Sequence, residues 1–250
     1  MRQRTAAVAV VLALAMGLTA ACGGEGGDGD NAADKPKQSK ETAAATPTGA
    51  PPVSPTGSAP RTGPRRELTK PELEKAILAE GDVAGFSVGS LGSPPPEGEK
   101  ADTPQCAPLT AVISGKPEPA ARASAYRRLV GAEEGTAVSE FLTSHGAQGA
   151  VAVVSRLRAA VRDCEDGFTA NGSEGPSTYR SVKALPVAQA GDESFAYQVT
   201  GDFEGDAVPL VFQVVRSGGT LAIFYTANFT GPQTPKIPPA LLTAQVAKLK

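Results

Sequence analysis

All 12 aromatic residues of this chain lie between Phe86 and Phe229, and between Cys22 and Arg66 the sole Val, Ile or Leu is Val53. That distribution fixes where a core can form. A segment so poor in apolar side chains gains too little from burial to offset the entropy lost on ordering. The 250 residues therefore divide into a leader over 1–21, a disordered tether over 22–66, and one folded domain over 67–250. A net charge of −2 argues against a nucleic-acid partner, whose electrostatic footprint is basic.

The leader carries an address. Arg2 and Arg4 open it, Ala6 to Leu18 form an apolar run, and small residues follow at Thr19, Ala20 and Ala21. The run is too short to cross a bilayer as a mature helix and has the layout of an export leader. Cys22 stands directly after the small residues, so Leu18-Thr19-Ala20-Ala21-Cys22 reads as a bacterial lipobox in which the cysteine thiol is diacylated. Two acyl chains meet the double requirement for stable anchoring. The sequence thus predicts a lipoprotein held on the outer face of the cytoplasmic membrane through Cys22. The alternative is an ordinary cleaved leader followed by a chance cysteine.

Gly23 to Arg66 begins glycine-rich and turns into Thr, Ser, Pro and Ala around Thr46 to Pro64. A flexible coil of that length has a root-mean-square reach of about 35–40 Å, more where prolines stiffen it. Thr46-Pro47 and Ser54-Pro55 would suit O-glycosylation of a stalk, beside the plainer reading of bare disorder.

With Cys22 assigned to lipid, Cys106 and Cys164 remain as an even pair in an oxidising compartment. A structural disulfide is the expected state. A metal pair or a reactive thiol is the alternative, although one histidine makes a poor zinc set.

Periodicity places the elements. Thr69 and Glu72 form a capping box, and Leu73, Ile77 and Leu78 predict a helix over about 70–80. A strand at Phe86 to Leu91 follows, then a Pro-rich excursion over Ser93 to Pro119 with one helical turn near Pro108 to Ser114. Ser124 to Val130 and Thr136 to Leu142 resemble a pair of strands around a turn at Gly131 to Gly135. Ala150, Val154, Leu157, Val161 and Cys164 share one face of a helix over about 147–163, with Arg158 and Arg162 opposite.

Phe195, Tyr197 and Val199 alternate with Ser194, Ala196 and Gln198 as in a half-buried strand. Ala207 to Val215 and Leu221 to Phe229 are apolar on both faces around Ser217-Gly218-Gly219, which predicts central strands in a hairpin. Pro238 and Pro239 open a last helix carrying Leu242, Val246 and Leu249 along one side. The expected class is α+β, an antiparallel sheet with helices packed on one face.

This order resembles a known family. An opening helix, a Pro-rich stretch with one cysteine, a hairpin, and an amphipathic helix ending in Asp163-Cys164 look like the extracellular sensor domain of mycobacterial serine/threonine kinase H and related actinobacterial sensor-domain lipoproteins. Gly191-Asp192-Glu193-Ser194 and Val214-Val215-Arg216-Ser217-Gly218-Gly219 fit the same pattern, over about Glu67 to Lys250. Two features depart from it: the family has a second disulfide, and often a tryptophan in the helix near the place of Val161. The resemblance implies extracytoplasmic sensing or binding in a cleft.

Catalytic patterns are incomplete. Gly85-Phe86-Ser87-Val88-Gly89 matches a hydrolase elbow, and Asp102 and His145 follow in hydrolase order. The elbow needs a buried strand before the serine and a helix after it, whereas here a helix precedes and Pro94-Pro95-Pro96 follows. Asp202-Phe203-Glu204-Gly205-Asp206 lacks the glutamate that closes a calcium loop and reads as a hairpin tip.

No catalytic, cofactor or metal-ligating set is therefore assigned. The domain is expected to bind rather than to turn over, in a cleft between the long helix and the hairpin over 207–229. Phe212, Phe224 and Tyr225 would line it, and Arg127 and Arg128 would meet a polar or anionic end of the ligand. A small-molecule, lipid or cell-wall ligand fits a sensor, and a lipid or glycolipid carrier is the second class. A second sheet face sealed by helices favours the first, and a deep empty apolar cavity favours the second.

Overall fold

The computed structural model describes residues 67–92, 94, 97–132 and 137–250. The leader, the lipidation expected at Cys22, the tether with its threonine and serine sites, and the tip of the first hairpin turn lie outside the described residues.

The elements follow the apolar spacing closely. Helix α1 (Lys70–Ala76) starts at Thr69, whose N–H donates to the Glu72 carboxylate at 2.8 Å. It stops short of the predicted end at 80, because Ile77 turns extended (ψ 155°) and thereby both Ile77 and its neighbour Leu78 become fully buried. Strands β1 (Phe86–Ser90) and β2 (Lys100–Ala101) flank the Pro-rich segment. A single 3-10 turn, Pro104–Cys106, leads into α2 (Ala107–Ile113). Then come β3 (Ala123–Gly131), β4 (Ala137–Ser144) and the long helix α3 (Gly146–Asp163).

Strands β5 (Phe168–Gly172) and β6 (Gly175–Leu185) form a hairpin that the apolar spacing does not predict. Strands β7 (Glu193–Phe203), β8 (Asp206–Ser217) and β9 (Thr220–Ala227) follow, and α4 (Pro239–Lys248) is the last described element. The acidic segment at 202–206 is the β7–β8 turn, in which Glu204 (φ 55°) and Gly205 (φ 94°) take the left-handed conformations of a tight hairpin turn.

The nine strands among the described residues form one sheet in the order β1-β3-β4-β9-β8-β7-β6-β5-β2, with antiparallel neighbours throughout. Strands β8 and β9 sit at its centre, as their two-sided apolar character requires. The α+β class and the antiparallel sheet are as expected, but the helices cover both faces.

One face carries Phe141, Tyr197, Phe212, Val214, Leu221 and Ile223 against α2 and α3. The other carries Ala125, Leu129, Leu142, Val215, Ala222 and Phe224 against α1 and α4. The reason is the double apolar face of β8 and β9: a single helical layer would leave one face in water, at about 1.5–3 kcal/mol for each large side chain left exposed. Cys106 and Cys164 are joined, with Cα atoms 6.0 Å apart, and tie the start of α2 to the end of α3.

The second layer also encloses a titratable carboxyl group. Glu140 of β4 is fully buried and neither carboxyl oxygen meets a partner in hydrogen-bond geometry. Burial pushes its pKa up to about 8, against the opposing pull of the Leu78 N–H, Lys248 and Arg127, while Asp82 adds to the rise. Lys248 of α4 pairs with Asp82 beyond the end of α1, linking the two helices that cover this face. Among the described residues no helix is long and apolar enough to cross a membrane.

Candidate functional site

Helix α3 packs chiefly against β6, β8 and β9, which leaves room beside it on the β4 side of the same face. There lies a cleft of about 440 Å³. Its floor is Ser139 and Phe141 of β4 and Tyr225 of β9, and the end of α2 supplies Ile113 to one wall. The turn between β5 and β6 forms another wall, and the Pro-rich segment closes the side with Leu91, Pro94 and Glu97 to Glu99. Gly115 lets that segment dock. Its φ is +68°, and a Cβ there would stand 2.8 Å from Pro94 Cγ, closer than side chains tolerate.

The floor is rigid. Tyr225 stacks on Phe212 (centroids 4.9 Å apart), Phe212 on Tyr197 (5.1 Å), and Tyr197 on Phe195 (5.2 Å). Tyr197, Phe212 and Tyr225 are direct cross-strand partners on β7, β8 and β9, the spacing at which rings on one face of a sheet meet. The guanidinium of Arg158 lies 4.7 Å from the Phe195 centroid and caps the far end of this ladder. Burial raises the Tyr225 hydroxyl to about 12.

Glu99 is fixed in the wall. Its Oε1 accepts from Ser177 Oγ and its Oε2 from Tyr179 Oη, both at 2.5 Å. The Glu99 N–H donates to Ser114 Oγ at 3.1 Å. Burial, and then the Glu99 carboxylate, push the Tyr179 phenol above its ordinary range, so it remains a donor.

The five ligand residues expected from sequence do not converge. Tyr225 lines the cleft and Phe212 backs it from the core. Phe224 lies on the opposite face, fully buried beneath α1 and α4. Arg127 pairs with Glu74 of α1 at 2.7 Å, whereas Arg128 is exposed and is the cross-strand partner of Ser139. Successive strand residues point to opposite faces, so neither Phe224 with Tyr225 nor Arg127 with Arg128 can serve one site.

The long helix does not bound the cleft either, because Val153, Val154 and Leu157 are packed into the core beneath it. Glu99, Ile113 and the β5–β6 turn were missed. The only sequence hint was a pair of glutamates within a proline run.

The hydrolase-like trio is not wired together. Ser87 Oγ, on the edge strand β1, donates to the Val130 carbonyl of the neighbouring β3. Asp102 accepts from Thr169 and Asn171, and His145 Nε2 lies 3.0 Å from Thr143 Oγ1. Arg158, placed by its spacing opposite the apolar face of the helix, bonds the Ser194 carbonyl and pairs with Glu193.

No family model and no curated protein matches the chain. Among solved structures it is similar to the extracellular domain of PknH from Mycobacterium tuberculosis, at 12% identity and a TM-score of 0.48, over 74% of this chain and 97% of that one. This is the domain whose pattern the sequence resembles.

Proposed function

We propose that the folded region is an extracytoplasmic, non-catalytic sensor-like domain that binds a small molecule in the β4–β9 cleft, carried on the outer face of the membrane by lipid on Cys22. The observation that carries this reading is the cleft itself. Its volume of about 440 Å³ falls in the range of small-molecule sites, which combine apolar floors with a few placed polar groups. Tyr225 and Phe141 supply the first, and Glu99 with its fixed donors the second.

An extracytoplasmic location is supported by the leader and by the joined Cys106 and Cys164. The lipid-carrier alternative is less well supported, because the second sheet face is filled by α1 and α4 and holds packed side chains where a carrier would hold its cargo.

The test is mass spectrometry of molecules that co-purify with the exported protein, compared between the native chain and Tyr225→Ala. A bound species retained by the native chain and depleted in the variant is the expected result. Equal retention by both would remove the cleft as the site.

A further inference from the structure

The cleft has a charge character of its own. Three glutamates, Glu97, Glu99 and Glu174, are among its lining residues, and among the described residues no Lys or Arg lines it. Its floor ends in an aromatic face. Phe212 stacks on Tyr225 from the core side, while on the β4 side the cross-strand partner of Tyr225 is Ser139. Serine is too short to continue the ladder, so the last ring faces the cleft. At the opposite end of the ladder a cation, Arg158, already sits over Phe195. An aromatic face attracts cations through its quadrupole, by about 0.5–2 kcal/mol according to desolvation, and neighbouring carboxylates add attraction of the same sign.

Resting on the reading of the cleft as the binding site, we propose that its ligand is an amphiphilic cation: an apolar body seated against Phe141 and Ile113, with an ammonium-type group between the Tyr225 ring and the carboxylates of Glu97, Glu99 and Glu174. An anionic amphiphile is the competing class. It would meet those three carboxylates and find its nearest counter-charge along this row in Arg128, one strand beyond Ser139. The geometry favours the cation because Glu99 is already held in the wall by Ser177 and Tyr179, whereas Arg128 lies outside the lining.

Three probes sharing one tail separate these classes: octyltrimethylammonium, octyl glucoside and octyl sulfate, each titrated below its micelle concentration into the chain from Gly23 to Lys250. With no tryptophan in the sequence, tyrosine fluorescence and calorimetry read binding. The expected order is octyltrimethylammonium at least tenfold tighter than octyl glucoside, with octyl sulfate weakest. The double variant Glu97→Gln and Glu174→Gln, at two exposed positions, should cut that preference to under threefold, chiefly by weakening octyltrimethylammonium. Added salt should narrow it similarly.

Equal affinity for the three probes would overturn the cation assignment and leave the binding site standing. Tightest binding of octyl sulfate, lost in Arg128→Ala, would replace it with an anion. If none of the three perturbs Tyr225, both the assignment and the binding reading fall.

Discussion

The ring of Phe212 lies parallel to that of Tyr225 to within 26°, centroids 4.9 Å apart, one sealed in the core and the other open to the cleft. The same stack thus serves stability at one residue and binding at the next. Phe212→Ala should cost about 3–5 kcal/mol, the usual range for emptying a buried phenylalanine site. Tyr225→Ala should cost less and should abolish ligand retention. Urea unfolding beside a binding titration separates the two, and a larger stability loss at Tyr225 than at Phe212 would contradict this division.

Glu140 makes stability depend on pH. Its pKa is about 8 in the folded protein against an ordinary 4.5, so the folded state holds a proton that the unfolded chain releases. The contribution is complete below pH 4.5 and is lost as pH rises towards 8, by up to about 1.4 kcal/mol per pH unit. The charged groups acting on it are Lys248, Arg127 and Asp82. Glu140→Gln keeps the shape without the titration. It should be more stable than the native chain at pH 8, with the gap closing towards pH 5. Parallel denaturation curves over pH 5–8 would expose an error.

Cys106 and Cys164 enclose a separation of 58 residues. Loop-closure entropy for that length gives about 4 kcal/mol as an upper figure. Cys164→Ser, or reduction of the native chain, should lower the unfolding midpoint accordingly, and thiol counting on the exported protein should find neither cysteine reactive until a reductant is added. Two reactive thiols at the outset would refute the pairing.

Cys22→Ala should move the protein from the membrane fraction to the soluble one. Cell fractionation followed by immunoblotting reads this directly, and undiminished membrane retention would remove lipid at Cys22 as the anchor.

What the sequence makes legible follows from how each signal arises. Helix α3 and strands β8 and β9 were readable because their apolar residues repeat at fixed spacing or fill both faces. The β5–β6 hairpin was not, since polar residues and glycines outnumber its apolar ones and a register shift between Tyr179 and Ser181 breaks the period of two. Of the candidate site, Tyr225 was legible as an aromatic on a central strand. The wall was not, because Pro94, Glu99 and Ile113 meet only through long-range docking at Gly115. Phe224 was misplaced by treating adjacent residues as one surface, which the pleat forbids.

The cleft opens on the α2–α3 side of the sheet, whereas Leu68 and Leu249, near the two ends of the described domain, both pack on the α1–α4 side. The domain therefore has a natural front and back. A bead, dye or sensor chip coupled near Glu67 or Lys250 would hold it by the back, with the cleft facing outward to whatever flows past. The same orientation lets a fluorophore on the Pro-rich rim report occupancy without disturbing the point of attachment.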